Sequence, residues 1–485
     1  MALNVPGYSL TPSSTKAALP TNYITDFNFL NQYLPDTYEK EFERYGNRTI
    51  ASFLRMVGAE MPTNSDLIKW AEQGRLHTKY EGCATAQADG PTAITNVAYL
   101  TGPGAAGTNP ACNFRVGQTL FLSLEGAAAT VSNKAIVTAV GALTTATTTD
   151  SFEVAYYEAA QSVGFNAGTI TAFVYGSEFR KGADGMIGSL ESEDEFFDNK
   201  PIIIKDRYNV AGSDMAQIGW VEVTSENGAN GYLWYLKSEH DTRLRYDDYL
   251  EMSMIEGVPA AAASGADAYL VGSAYPAGST LAQSAGTQGL FDAIESRGNL
   301  WSGAGPTTLA DWDTIVDRLD KQGSIQENVV FVDRNFGFDI DDMLAAQNSY
   351  GAGGTSWGLF DNDEEMALNL GFSGFKRGYD FYKTDWKYLN DIALRGGITG
   401  GAVNGCMVPA GSTTVYDQIL GKNAKRPFLH VRYRASETED RRYKTWITGS
   451  AGGATSNDTD AMEVHFLSER ALCTLGANNF VLFKA

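Results

Sequence analysis

The stretch FRVGQTLFLSLE, residues 114–125, places apolar side chains at alternate positions and mostly polar ones between them. This period of two is typical of a strand with one buried face. Residues 135–140 and 152–157 repeat the pattern, and short turns containing glycine or threonine fall between the segments. Together the three segments predict a small antiparallel barrel or sandwich.

These segments lie in a longer stretch, residues 82–176, that is almost uncharged. The flanking residues 69–80 and 178–206 are densely ionic, and strand-like runs end near Tyr80 and resume at Thr171. Two strands that bracket an insert form a hairpin. We therefore predict an all-β domain over residues 86–170, inserted into a long hairpin that spans residues 61–205.

Length and composition indicate a large globular protein. A chain of 485 residues with 43% hydrophobic content can form two to four cores. The formal net charge of -21 argues against a protein that grips phosphate backbones, because such affinity comes from clustered Lys and Arg. The N-terminal sequence MALNVPGYSL lacks a basic region before an apolar one, and no run approaches the roughly 20 apolar residues of a membrane span. We expect a protein made and kept in a cytoplasm.

The rest of the chain predicts a mixed α+β protein. Residues 1–60 read as an extended arm followed by two helices, and residues 206–285 contain a long helix, 230–256, with Asn230 as its cap. Residues 286–405 alternate helix and strand like an α/β domain of their own. In that segment Thr307 or Thr308 caps a helix that ends at Gly323. Residues 406–485 return to strands that we expect to complete the sheet beside the long helix.

Residues typical of catalysis or metal binding are scattered. The histidines stand alone, the cysteines form no C-x-x-C pair, and the acidic clusters lack the spacing of a calcium loop. Paired carboxylates could cleave glycosidic bonds, but acids at helix starts are ordinary caps. We predict buried reduced thiols, structural histidines, no catalysis, no cofactor and no metal. The residues concerned are Cys83, Cys112, Cys406, Cys473, His77, His240, His430 and His465.

Charge is segregated along the chain. Basic residues concentrate between positions 422 and 444, whereas residues 191–198 are acidic. Such segregation indicates either complementary faces between copies of the chain or a solvated pair of strands. Under the first interpretation, the candidates for contacts between copies of the chain are Arg432, Arg434, Arg441 and Arg442.

This order of parts resembles the major capsid protein of tailed bacteriophages, with its Hong Kong 97-type fold. The resemblance implies an N-arm (1–60), an E-loop (61–205), a P-domain with a spine helix (206–285), an A-domain (286–405) and returning P-domain strands (406–485). The sequences WAEQGR at residues 70–75 and GANNFVLFK at 476–484, together with the small β-domain inserted in the hairpin, resemble the short-tailed and crAss-like branch. Trp70, Glu72 and Arg75 are then further candidates for intersubunit contacts.

The resemblance implies a structural protein of the virion without enzymatic activity. Such a protein assembles in the bacterial host cytoplasm as hexamers and pentamers, and forms an icosahedral shell around double-stranded DNA without reading its sequence. Portal and auxiliary or decoration proteins would be partners, and no membrane would be involved. No motif identifies an isopeptide crosslink. The alternatives are a carbohydrate-active hydrolase with the β-module as a binding appendage, and another β-rich structural protein of a virion.

Overall fold

The computed structural model describes residues 53–54, 59–77, 79–85, 97–101, 114–124, 132–140, 151–158, 169–189, 194–216, 223–224, 230–231, 234–261, 264–271, 285–303, 305–323, 325–347, 373–417, 422–453 and 455–484. The predicted arm and the helix near residue 38 lie outside these residues, and of the second helix only Phe53 and Leu54 are described, as helical. The described residues form two compact units. A body contains those up to Ser65 and from Pro201 onward, and a hairpin module contains those from Asp66 to Lys200.

The first strand of the body is β1 (Ala59–Thr63). The strands of the hairpin module follow it in chain order: β2 (Ile68–Gln73), β3 (Lys79–Thr85), β4 (Val97–Thr101), β5 (Gln118–Leu124), β6 (Ser132–Val140), β7 (Ser151–Tyr156), β8 (Thr169–Ser177) and β9 (Asp194–Asn199).

The body continues with elements of both kinds. Its strands are β10 (Ile202–Ala211), β11 (Val223–Thr224), β12 (Asn230–Gly231), β13 (Asn299–Ser302), β14 (Glu327–Val332), β15 (Gly374–Arg377), β16 (Tyr379–Asp385), β17 (Val403–Pro409), β18 (Ser412–Asp417), β19 (Lys422–Pro427), β20 (Leu429–Arg434), β21 (Lys444–Gly449), β22 (Ala461–Thr474) and β23 (Val481–Lys484). Its helices are α1 (Gly212–Met215), α2 (Trp234–Glu256), α3 (Gly265–Val271), α4 (Leu290–Arg297), α5 (Leu309–Gln322), α6 (Arg334–Gln347) and α7 (Lys387–Asn390), with short 3-10 turns at Arg395–Gly397 and Ala477–Asn479.

The hairpin module contains a closed barrel with the strand order β3-β4-β7-β6-β5-β8. Leu120, Leu122 and Leu124 point into its core, as the alternation predicts, and Cys83 is buried with them. Val116 does not follow the pattern and is 44% exposed. The reason is Gly117, whose φ of 90° forms a turn just before β5 and interrupts the alternation.

The barrel is larger than the segment predicted as the insert. β3 and β8 pair with each other, Lys79 opposite Phe173, and both are barrel strands. A separate hairpin is formed by β2 and β9, with Ile68 opposite Asn199 and Gln73 opposite Asp194. An alternating sequence does not show whether a strand belongs to the barrel or to the hairpin that carries the barrel, because both kinds of strand have one buried face.

The body has a five-stranded sheet in which β22 is central. β22 pairs along one side with β10 and along the other with β21 and β20, and β1 lies parallel to β20. The 23-residue helix α2 packs on this sheet. Tyr246 of α2 is fully buried, stacks on Phe466, and donates a hydrogen bond to the carbonyl of Ile204 at 3.1 Å.

The start of α2 differs from the prediction. Asn230 does not cap the helix, because residues 230 and 231 form β12 and pair with β11. The helix begins at Trp234 and ends at Glu256. Asparagine is favoured both in caps and in turns, so its presence alone could not distinguish the two positions.

The second sheet of the body has the order β13-β23-β17-β14-β16-β15. Strand β23 lies inside this sheet and not beside α2, where we expected the final strands. Val481, Leu482 and Phe483 are 3%, 0% and 0% exposed, as expected for a strand with neighbours on both edges and layers on both faces. A fully apolar strand does not indicate which of two sheets it joins.

Helix α5 follows its sequence signals closely. The Thr308 hydroxyl accepts a hydrogen bond from the Asp311 amide, and the Asp311 carboxylate accepts one from the Thr308 amide at 3.0 Å. Gly323 ends the helix with a left-handed φ of 69°. A reciprocal capping box and a glycine terminator therefore fix both ends.

One hydrophobic core connects the two sheets of the body. Phe53 stacks on Trp386 at 4.5 Å between ring centroids and meets Phe331 edge-on at 4.6 Å. Leu429 and Leu472, from the five-stranded sheet, belong to the same buried cluster. Residues 286–405 therefore share this cluster with the five-stranded sheet, and they also contribute to a second buried cluster that includes Trp312, Phe336 and Phe381.

Candidate intersubunit surfaces

The predicted contact residues of the hairpin lie on or just after β2. Trp70 donates its indole N–H to the Glu72 carboxylate at 3.0 Å, and its ring lies 6.4 Å from that of Phe197 on β9. Arg75 is exposed beyond the end of the strand. The structure brings Trp70 and Glu72 together on one face of the hairpin, each half-buried.

The opposite face of the hairpin is more exposed. Phe196 of β9 is 71% exposed, and Asp194 and Asp198 lie on either side of it on the same face. An isolated aromatic side chain in water between two carboxylates contributes nothing to a core. This face is available for contact with another molecule.

The late arginines lie in the five-stranded sheet and the segment between β20 and β21. Arg441 and Arg434 both approach the carboxylate of Glu469, with N–O distances of 3.0 and 3.8 Å. The Glu469 side chain is only 9% exposed. Arg432 is half-buried, with a guanidinium nitrogen 3.9 Å from the sulfur of Met61.

A second charged group joins β1 to this sheet. The Glu60 carboxylate pairs with Arg442 and with Arg470, the latter at 3.5 Å. Arg470 also donates to the Ser468 hydroxyl at 2.9 Å and to the Arg442 carbonyl at 3.1 Å. Burial lowers the pKa of Arg470, and the Glu60 carboxylate partly opposes that change. These hydrogen bonds satisfy a buried guanidinium that would otherwise be costly.

The four late arginines, like Trp70 and Glu72, therefore have partners inside the chain. Arg434, Arg441 and Arg442 stabilise the five-stranded sheet through Glu469 and Glu60, and Arg432 packs against β1. That they also contact a neighbouring copy remains a prediction. Charge reversal at Arg441 and Arg442 would place carboxylates beside Glu469 and Glu60, so it would perturb folding as well as assembly.

The charged group borders a cavity of about 660 Å³ in the body. Its wall contains both signs of charge, from Arg243, Arg442, Arg470, Glu60, Asp247, Glu251 and Asp440, with Leu54, Leu250, Val431 and Tyr443. Glu251 is buried and accepts a hydrogen bond from the backbone amide of Phe53 at 2.9 Å. Acids and bases that neutralise one another in this way suit a structural role better than proton transfer.

Catalytic and metal-binding side chains are not brought together in the described part of the chain. No group of three or more His, Cys, Asp or Glu residues there could hold a metal ion. Cys83, Cys406 and Cys473 are buried, and burial raises the pKa of the Cys406 thiol. His465 contacts the Thr448 hydroxyl at 2.8 Å and stacks on Trp446. Within the same residues, no helix is long and apolar enough to cross a membrane.

Sequence reasoning missed Glu60, Glu469 and Arg470. The last two carried a signal, because they are adjacent charged residues within a long strand that is otherwise largely apolar. Charges at buried strand positions require partners, so this pair could have predicted an ion-pair group. Nothing in the sequence near Glu60 indicates that its partners lie some four hundred residues further along the chain.

Replacing Glu60 with glutamine is expected to lower the free energy of unfolding by about 3 kcal/mol. The side chain keeps its size, but Arg470, whose side chain is 8% exposed, loses its carboxylate partner. Urea titration of the unassembled chain would measure the change. Glu437→Gln, at an exposed position between β20 and β21, is the matched control and should change stability by less than about 0.5 kcal/mol. Equal losses in both variants would contradict the role of Glu60.

No protein-family profile and no curated protein matches the chain. Among solved structures, it is similar to a chain from Microbacterium phage Oxtober96, with a TM-score of 0.38, 10% identity, and coverage of 95% of this chain and 99% of that chain. A second is the capsid of a native GTA particle, with a TM-score of 0.37, 9% identity, and coverage of 93% of this chain and 96% of that chain. A third, the mature capsid of bacteriophage PhiM1, has TM-score 0.33 and 8% identity, covering 64% and 78%. Two of these three structures are capsids.

Proposed function

We propose that this chain is a major capsid protein of a tailed bacteriophage, with a Hong Kong 97-type α+β fold. It assembles in the host cytoplasm as hexamers and pentamers into an icosahedral shell that encloses double-stranded DNA. Portal and auxiliary or decoration proteins complete the virion, and the chain itself catalyses no reaction.

The observation that carries the proposal is how the hairpin module is connected. The chain leaves the five-stranded sheet after β1 and returns to it at β10, and these two strands are not neighbours in the strand order β1-β20-β22-β10. The same sheet carries the long helix α2, and the second sheet is continuous with it through one core. This combination supports the proposed order of P-domain, spine helix, A-domain and E-loop.

The physical properties of the chain suit a shell subunit. Large obligate interfaces, of roughly 2,000 Å² or more, would cover an exposed aromatic side chain such as Phe196 of the hairpin module, which is unfavourable in a monomer. Heterologous contacts that close into rings generate pentamers and hexamers. A formal net charge of -21 keeps packaged DNA from adhering to the wall.

We further propose that the chain belongs to the short-tailed and crAss-like branch. It is supported by the sequences at 70–75 and 476–484 and by the presence of a β-domain in the hairpin.

Electron microscopy of the expressed protein tests the proposal directly. We expect rings of six subunits and closed shells, and size-exclusion chromatography should show species far larger than one chain. A monodisperse monomer that releases reducing sugar from polysaccharides would instead identify the hydrolase alternative. Tubes or fibres without closed shells would favour another structural component of a virion. Either result would overturn the capsid proposal.

A further inference from the structure

The outer wall of the barrel presents a group of exposed rings, here called the aromatic face. It consists of Phe121 on β5, Phe173 and Tyr175 on β8, and Tyr157 just after β7. Phe173, Tyr175 and Tyr157 are 38%, 49% and 47% exposed. Phe121 and Phe173 are partners in the β5–β8 ladder, and their ring centroids lie 5.3 Å apart.

Tyr175 lies at an irregularity of the barrel. In the β5–β8 ladder Leu120 is opposite Val174, whereas Thr119 is opposite Gly176, so Tyr175 is an extra residue in β8. A bulge of this kind redirects a side chain without breaking the sheet. Regular barrel pairing therefore does not require the tyrosine at this position, and its ring is directed to the outside.

Charged side chains of both signs, which can also form hydrogen bonds, surround these rings. The Lys134 ammonium lies 5.7 Å from the centroid of the Tyr175 ring. The Tyr157 hydroxyl donates to the carboxylate of Glu178. Lys79, which is opposite Phe173 in the ladder between β3 and β8, forms an ion pair with Glu81. The face thus combines stacking surfaces with donors and acceptors, and its two lysines and two glutamates balance.

The size of the aromatic face disfavours a stable protein partner. Three rings exposed by about 40–50% present roughly 250 Å² of aromatic side-chain surface. A stable protein interface needs about 800 Å² from each partner. This area corresponds instead to a small ligand that is itself made of only a few cyclic units.

The charge of the aromatic face distinguishes between two kinds of small ligand, a nucleic acid and a neutral sugar chain. Aromatic rings beside lysines can stack nucleic-acid bases. However, the acids of the face offset its lysines, and the formal net charge of the chain, -21, repels phosphates. A neutral sugar chain meets no such repulsion. Its C–H faces can stack on the electron-rich ring faces, and its hydroxyls both donate to carboxylates and accept from ammonium and phenol groups.

We propose that the aromatic face of the barrel is a binding site for neutral carbohydrate chains. Tyr175 and Phe173 provide the stacking surface, while Lys134 and Glu178 hydrogen-bond the hydroxyls at its border. This activity goes beyond capsid assembly and does not depend on it, since every residue involved lies in the hairpin module.

Titration calorimetry of the full chain with cellohexaose, chitohexaose, maltohexaose and mannohexaose tests the site. We expect at least one of these sugars to bind, and Tyr175→Ala to weaken that binding by about tenfold. Tyr175→Phe retains the ring and should stay within about twofold of the original affinity. The matched control is Tyr382→Ala on β16, a 52% exposed tyrosine of the body, which should leave the affinity unchanged.

Several results would overturn the site. They are no binding of any of the four sugars, equal affinity of the Tyr175→Ala variant, or tighter binding of a thymidine oligonucleotide than of any sugar. A change in the association of copies in Tyr175→Ala, measured by sedimentation without sugar, would show instead that the face contacts another subunit. An unchanged melting temperature of the variant would establish that it folds.

Discussion

Replacing Trp312 with alanine is expected to lower the free energy of unfolding by about 3–5 kcal/mol. Trp312 of α5 is fully buried, and its ring centroid lies 4.9 Å from that of Phe375, 5.0 Å from Phe381 and 6.3 Å from Phe483. These rings belong to β15, β16 and β23, so one side chain fastens the helix to three strands. Removing it leaves a cavity that the rigid sheet cannot close.

Urea titration of the unassembled chain, followed by near-ultraviolet circular dichroism, would measure this loss. Trp446→Ala is the matched control, because Trp446 is half-buried on β21 and stacks on His465 at one face of the other sheet. It should cost less than about 2 kcal/mol. Comparable losses in the two variants would mean that α5 is not held chiefly through Trp312.

Removing the whole barrel, residues 79–177, is expected to leave the body folded. The barrel has its own buried cluster, which contains Cys83, Leu120 and Phe152, and the clusters of the body include none of these residues. A short Gly/Ser linker between residues 78 and 178 should leave the melting temperature of the body within about 4 °C. Calorimetry and size-exclusion chromatography would measure it. Unfolding of this variant would show that the barrel contributes to the main core.

A second deletion provides the contrast. Removing residues 86–168, the segment closest to the sequence-predicted insert, leaves β3 and β8 without β4 to β7. Buried positions such as Cys83, Ile170 and Ala172 would then face water, and both strands would present unpaired edges. We expect this variant to aggregate. Equal solubility of the two deletions would argue against closure of the barrel through β3 and β8.

The sequence predicted elements best where local chemistry determines them. The alternation of Leu120, Leu122 and Leu124 identified β5, and Thr308 with Gly323 identified both ends of α5. These signals are local, because a strand face and a helix cap depend on residues a few positions apart. Tertiary context decided the ambiguous cases, including Asn230 in β12.

Partnership between distant parts of the chain was harder to predict. Nothing local shows that β23 lies between β13 and β17, since an apolar strand fits the interior of either sheet. The arginines at positions 432, 434, 441 and 442 were recognisable as a group. The acidic partners of Arg434, Arg441 and Arg442, which are Glu469 and Glu60, depend on how β22 and β1 pair. The contribution of these charges to the candidate surface could therefore be read only from the structure.

The parallel pairing of β1 with β20 places residue 59 opposite residue 430. Contacts between such distant positions form slowly, because a very long loop must close before any of them is gained. The barrel, by contrast, is made from one continuous piece of chain, and the pairing that closes it, Lys79 opposite Phe173, joins positions much closer in sequence. During synthesis the appendage should therefore mature first, and the sheet that carries it only after most of the polypeptide has emerged. In the proposed capsid subunit, this order would complete the five-stranded sheet last, so that folding of the barrel and formation of contacts by the sheet are separated in time.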